Sequence, residues 1–501
     1  MTDKLGAYRE RLLGVTVSIL FFMGCSSPTP GITSGTGGGT GGSSGTTPGS
    51  GSSGSSGSGS AGASGAGGGL KDAGTGGGGT AGGGQDGGQD SGQDSGKDSG
   101  PFACPTLPAP GSCAPPVDIR CPYPKLSQTG CIDPSPFSDS KLPIKMASVV
   151  VPYEVNSPLW SDGALKTRGM RLPTGGKIHV KDCAQNPTEC GVLDPATFKC
   201  CLPPADDGKW VFPAGTVMVK NFMFPDASRP SGYKLVETRL FVHMDQVVQV
   251  EGVKTEWVGY GYQWDDAQTD ATVIGGLVGG SDTGVSATFH VAPTAGAFPQ
   301  PLTWDYPSRL DCITCHMPIT PATTPVSGYT LGPETIQMNR VATGDTMNQI
   351  DKLAALGVFE TAPVKPYKAA LVAPYPGQSG TPPQTATLEQ RARSYLHANC
   401  AFCHRPDGKW NGFDVRYDVP FKSTALCNAP PGKGDLGVTG ATLLTPKNPM
   451  SSLIWLRMHA PVGTVMNGGT GRMPAIASSV VDTQGTDLMS RWITSIAACP
   501  M

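Results

Sequence analysis

The chain twice carries the pattern Cys-x-x-Cys-His, as Cys312-Ile-Thr-Cys315-His316 and Cys400-Ala-Phe-Cys403-His404. Two thiols three residues apart lie on one side of a helical turn and reach the two vinyl groups of one haem. The imidazole that follows ligates the iron from the proximal side. At the chain's Cys and His frequencies about 0.006 chance matches are expected, so a pair of them is a signal. A redox dithiol or half a zinc site needs no His at that position, and zinc would want a second Cys or His pair at suitable spacing. The expectation is therefore two covalently bound haem c groups. Cys312, Cys315, Cys400 and Cys403 would be the attachment points and His316 and His404 the iron ligands. No catalytic residue is assigned.

The flanking segments must position these groups. Ahead of the second motif, Thr387 to Asn399 reads TLEQRARSYLHAN. Thr387 and Gln390 match a capping box, and Leu388, Ala392 and Leu396 form an i, i+4, i+8 stripe, which predicts a helix ending at the motif. Downstream, Met473 precedes Pro474. Proline holds the preceding residue extended, which suits a loop presenting a thioether, and a thioether with an imidazole is a known axial pair that raises haem potential. Met473 is thus the expected distal ligand of the second haem, with Met450, Met458 and Met466 as rivals. Leu488, Trp492 and Ile496 predict a closing amphipathic helix. Around the first motif, 333–339 and 346–359 are helix-like, and Met347, Ile350, Leu353 and Leu356 share a face in the second of them. Its distal candidates are Met338 first, then Met347, His290 and His243. None lies in a Met-Pro loop, so an open sixth position stays an alternative.

The chain has 501 residues, 70 Gly, 15 Cys and net charge −2. Residues 31–100 hold 31 of the Gly and a charge of −3, leaving the rest near +1. That stretch has almost nothing to bury and reads as a flexible coil. About 400 residues remain, enough for two or three domains. Without a basic surplus, nucleic-acid binding is not expected. No internal apolar run is long enough to span a membrane. Outside the two motifs and Cys25, ten cysteines remain, an even number that suits disulfides in an oxidising compartment. Connectivity does not follow from sequence, though Cys427 and Cys499 are the two spare cysteines of the last domain.

Residues 101–140 read as a Cys/Pro-rich strap. From 141 to 300 short β-rich runs such as WVFPAGTVMVKNFMF and TEWVGYGYQW alternate with turn signals, which predicts an all-β, sandwich-like domain. Trp257, Tyr260, Tyr262 and Trp264 are core or a sugar-binding face. Asp265-Asp266 is a solvated loop or a calcium or substrate site.

Lys4, Arg9 and Arg11 precede LLGVTVSILFFMGC, a secretory signal over 1–25. Phe22-Met23-Gly24-Cys25 resembles a bacterial lipobox, with Phe22 and Met23 departing from the usual Leu and small residue. The resemblance implies lipidation of Cys25, with 26–100 as a tether spanning roughly 50 Å. The leading helix, C-x-x-C-H, Met-Pro loop and closing helix of 384–501 resemble a class I cytochrome c. More widely, VPYEVNSPLWSDGALKTRGMRLPTG, ETRLFV, DCITCH and RARSYLHANCAFCH, in this order over about 145–501, resemble a family of bacterial secreted dihaem c-type cytochromes. That resemblance implies two haems, a secreted location and electron transfer. It puts a first haem c domain at 301–375 and a second at 384–501, both all-α. Asp162 and Lys166 lie in the best-matching block and carry only turn and surface chemistry on this reading.

The expected function is one-electron transfer by a lipid-anchored dihaem cytochrome of the cell envelope, in the periplasm or on the surface. Redox proteins would be its partners. Ser26 after Cys25 favours the outer membrane. The alternative is a dihaem peroxidase or other oxidoreductase with an open-coordinate first haem and a substrate- or glycan-binding β domain.

Overall fold

A computed structural model describes residues 112–500, apart from 117, 134–143, 184, 187–206, 251, 276–283, 292–300, 318–327, 378–379, 407, 411, 467–468 and 477. The expectations for 1–25, for 26–100 and for lipidated Cys25 lie outside the described residues.

Helix α1 (Leu126–Thr129) leads into paired strands β1 (Ile132–Asp133) and β2 (Lys145–Met146). There follow β3 (Val151–Tyr153), β4 (Leu165–Arg171), β5 (His179–Val180), β6 (Trp210–Val211), β7 (Val217–Pro225), β8 (Tyr233–Val250), β9 (Val253–Trp264) and β10 (Ala271–Val273). Next come β11 (Val285–Phe289) and β12 (Leu302–Tyr306), which pair with each other. Helices α2 (Arg309–His316), α3 (Thr335–Met338), α4 (Gln349–Ala355), α5 (Leu388–Asn399) and α6 (Leu453–His459) follow. A small hairpin, β13 (Val465–Met466) and β14 (Gly469–Thr470), precedes the closing helix α7 (Thr483–Ser495).

The centre is one antiparallel six-stranded sheet in the order β10-β9-β8-β7-β4-β3. Period-2 alternation gives it two different faces. One face packs Val217, Val219, Leu240, Val242, Val258, Tyr260 and Tyr262 into a core closed by Leu126 and the Cys113–Cys131 disulfide. On the other face, Met170, Met218, Phe241 and Trp257 pack with Met338, Ile350 and Leu353. Farther along that face Phe222, Phe224 and Val236 pack under Trp304 and Tyr306.

The expected fold class, a sandwich-like β domain followed by all-α cytochrome c-like haem domains, is not what the chain forms. Among the described residues strand exceeds helix, 25% against 19%. No second large sheet opposes the first, since every other sheet among the described residues has two strands. Nor does 301–375 make a helical core of its own. Its Ile313, Met338, Ile350 and Leu353 are buried against the six-stranded sheet. The physical reason is length: α3 has 4 residues and α4 has 7, too short to bury a core between helices. Residues past 375 do have a core, with Ala392, Tyr395 and Leu396 against Leu488, Met489, Trp492 and Ile493. Helix α5 starts as expected, with the Thr387 hydroxyl accepting from Gln390 N and the Gln390 side chain accepting from Thr387 N.

The C-terminal body is tied to the loop before β4. Ser157 donates to Ser394 O at 2.9 Å, and the Trp160 amide donates to Asn399 Oδ1 at 2.6 Å. His397 meets Glu334 at 2.7 Å. The described residues accordingly belong to one compact unit.

Candidate functional site

Helix α2 carries the first motif along β9, on the stretch that β10 does not reach, since β10 pairs only with Tyr262, Gln263 and Trp264. Its start is fixed by a reciprocal cap: Ser308 Oγ accepts from Asp311 N, and Asp311 Oδ2 accepts from Ser308 N at 3.0 Å. The alternation Trp257-Val258-Gly259-Tyr260-Gly261 turns Tyr260 into one core and leaves the opposite face of β9 without side chains at two positions. A Cβ on Gly259 would stand 2.6 Å from Cys312 Sγ. Gly259→Ala is therefore expected to displace α2 and cost about 1–3 kcal/mol. Denaturant unfolding of the variant checks this, and an unchanged midpoint would show that the helix does not rely on the gap.

His316 Nδ1 lies 3.0 Å from Tyr329 O. A carbonyl only accepts, so Nδ1 carries the proton and Nε2 keeps its lone pair for a metal. Burial pushes the imidazole pKa down to about 4, so it is neutral at pH 7. The Phe241 ring supports it at 4.1 Å.

The second motif follows α5 in a tight turn, with Cys400 N donating to Leu396 O and His404 N to Cys400 O, both at 2.8 Å. His404 repeats the arrangement of His316. Its Nδ1 donates to Trp410 O at 3.1 Å, its ring stacks on Phe413 at 4.2 Å, and burial pushes its pKa down to about 4. Met473 is half-buried and its amide donates to Arg457 O at 2.9 Å. The Arg457 charge also reaches His404 and adds to the lowering.

Although 88 residues separate their first cysteines, the motifs meet. The Cys315 and Cys403 thiols lie close enough together for each to shift the other's titration. Tyr329 joins both sides: its carbonyl holds His316 and its hydroxyl donates to Phe402 O at 3.1 Å. Nothing in the sequence singles out Tyr329, because its contact with His316 is through the main chain. None of the four motif cysteines forms a disulfide. Cys113 pairs with Cys131 and Cys427 with Cys499, and Cys121 and Cys183 are also disulfide-bonded. Cys104, Cys190, Cys200 and Cys201 lie outside the described residues. No group of three or more His, Cys, Asp or Glu is clustered among the described residues as a metal site would be.

A cleft of about 1900 Å³, part of it open solvent, lies between the sheet and the two motifs. Cys312, Cys315 and His316 line it from one side and Ala401 and Phe402 from another, while His404 does not line it. The distal candidates for the first haem do not reach it. Met338 is fully buried in the apolar core, Met347 and His290 are exposed, and His243 is stacked on Trp257 with Nδ1 against Phe212 O. The methionine in the cleft wall is Met218.

Trp257, Tyr260, Tyr262 and Trp264 are all buried core, not an exposed sugar platform. Asp265 accepts from Thr269 and Asp270 N within a turn, and Asp266 pairs with Lys234 at 2.6 Å. Lys166 is half-buried with Nζ donating to Ala164 O at 2.8 Å, and Asp162 sits in a turn as expected but is buried and not at the surface.

No family model, curated protein or solved structure matches this chain.

Proposed function

We propose that the chain is a dihaem c-type cytochrome that passes single electrons to and from redox proteins of the bacterial cell envelope, held there by lipid on Cys25. The observation that carries the reading is the doubled arrangement of two motifs in contact. Each has two cysteines outside any disulfide and an imidazole whose Nδ1–H is spent on a backbone carbonyl. These residues fit the group: Cys312 and Cys315 would hold one haem and Cys400 and Cys403 the other, with His316 and His404 on the irons. Haem iron supplies a one-electron couple whose potential depends on ligands, burial and hydrogen bonding. The protein's own part is to fix both imidazole tautomers, to keep both rings neutral and to bring Cys315 beside Cys403. Met473 is the proposed distal ligand of the second haem.

A second reading has support of its own. Met338, Met347, His290 and His243 all stand away from the cleft beside His316, which favours an open sixth position there and an oxidoreductase active at the first haem. One experiment addresses both. The reduced protein should show thioether-linked haem absorption at two haems per chain, and its absence would remove the proposal. Carbon monoxide should perturb the spectrum of the first haem under the second reading and leave a fully ligated carrier unchanged.

A further inference from the structure

The strand register places a row of cations across the floor of the cleft. Tyr153 pairs with Arg168, Arg168 with Lys220, Lys220 with Arg239 and Arg239 with Gly261, so β3, β4, β7, β8 and β9 contribute one rung. Residues directly opposite in a sheet share a face, and like charges there repel. Three consecutive cations on one rung thus oppose folding unless something answers them.

The nearby carboxylates are committed elsewhere. Glu237 holds Arg239 through two contacts of 2.7 and 2.9 Å and accepts from Trp304 Nε1 at 2.9 Å. Glu154 pairs with Arg340 at 2.8 Å. That leaves Arg168 and Lys220. Neither side chain makes a hydrogen bond or ion pair among the described residues, and Lys220 has only the Phe222 ring at 5.1 Å. Both are half-buried, and both line the cleft. Half-buried cations that face each other on one rung without a paired counter-charge are unfavourable.

We propose that Arg168 and Lys220 bind carboxylate groups inside the cleft. The proposal deepens the dihaem reading and in its first form rests on it. A haem held by Cys312 and Cys315 carries two propionate carboxylates on the edge opposite its vinyl groups. Cys312 lies over Gly259 on β9, two residues along from the rung, and at ~4.8 Å per strand and ~3.4 Å per residue Lys220 and Arg168 stand about 12 and 16 Å away across the sheet. That is the direction and the scale a porphyrin needs from its thioether edge to its far edge. A small free dicarboxylate entering the cleft is the other source of the same chemistry.

The test uses the full chain and three variants, Lys220→Met, Arg168→Met and Lys220→Arg. If propionates are bound, each Met variant leaves a carboxylate unpaired. The thermal midpoint then falls, the propionate bands of the resonance Raman spectrum move, Lys220→Arg restores both, and succinate changes nothing in the wild type. If a free dicarboxylate is bound, succinate raises the wild-type midpoint saturably, and Lys220→Met weakens its binding about tenfold or more. The proposal is overturned if both Met variants raise the midpoint, as removal of an unanswered charge should, while the Raman bands stay and succinate does not bind. A purified chain without haem would sink the dihaem reading instead, and succinate binding alone would then decide the carboxylate site.

Discussion

Replacing Cys400 and Cys403 together by alanine is expected to halve the haem held per chain, from two to one. The remaining haem should still absorb with its thioether signature. The thioethers are covalent, so attachment at one motif does not depend on affinity at the other. His404 left alone offers one imidazole against a loop, with Trp410 O holding its Nδ1–H. A haem held there by ligands and packing alone leaves the chain on denaturation, so the covalent haem count falls to one. The matching change at Cys312 and Cys315 should give the complementary one-haem chain. The two products differ in a way that separates the motifs: the chain keeping the first haem reports the ligands of the cleft, and the chain keeping the second reports Met473. Pyridine haemochrome per chain and intact mass supply the count. If both double variants keep two haems, or if all four cysteines of the wild type react as thiols, the motifs are not attachment sites. The contact between Cys315 and Cys403 would then point to dithiol chemistry.

Local features of the site were legible, and long-range ones were not. Helix α5 and its Thr387–Gln390 cap follow from neighbouring residues, as does α7, where Leu488 and Trp492 are buried as their spacing requires. The pairing of Cys427 with Cys499 needed only their isolation in the last part of the chain. The basic rung was invisible because Arg168, Lys220 and Arg239 each occupy an alternation position that looks solvent-facing in its own strand. Only the register of three strands shows that they share a row. The placement of α2 was hidden similarly: Gly259 and Gly261 lie inside the β-rich run TEWVGYGYQW, and nothing local in it shows that Gly259 admits Cys312. The all-α reading of 301–375 failed because apolar residues at helical spacing, such as Ile350 and Leu353, are equally satisfied by a sheet face.

The largest loss of stability is expected from Asp162→Asn. Asp162 and Gly163 are the central pair of a turn in which both φ angles are positive, at 49° and 79°, with Ala164 N donating to Ser161 O at 2.8 Å. Asn tolerates this conformation as well as Asp does, so the substitution keeps the turn and changes only the charge. The carboxylate is buried and accepts from Ser478 Oγ, Ser479 N, Ser479 Oγ and Val480 N, all at 3.0 Å or less. Val480 O meanwhile accepts from Trp160 Nε1 at 3.1 Å and Arg472 Nη2 at 2.6 Å. This loop is one of the fastenings between the sheet and the body that carries the second motif. An amide offers one acceptor oxygen and turns its two donors on groups that themselves donate. At about 1.5–3 kcal/mol for each hydrogen bond to a charged group, and with some recovered by the Asn oxygen, the expected loss is about 3–5 kcal/mol. Equilibrium unfolding in guanidinium measures it. Because the damage falls between the two motifs, the variant should also populate an intermediate in which the C-terminal body detaches before the sheet melts, visible as separate transitions by Trp fluorescence and far-ultraviolet circular dichroism. A single coincident transition with a loss below about 1 kcal/mol would show that the other ties, Ser157 to Ser394 and His397 to Glu334, hold the two parts together without Asp162.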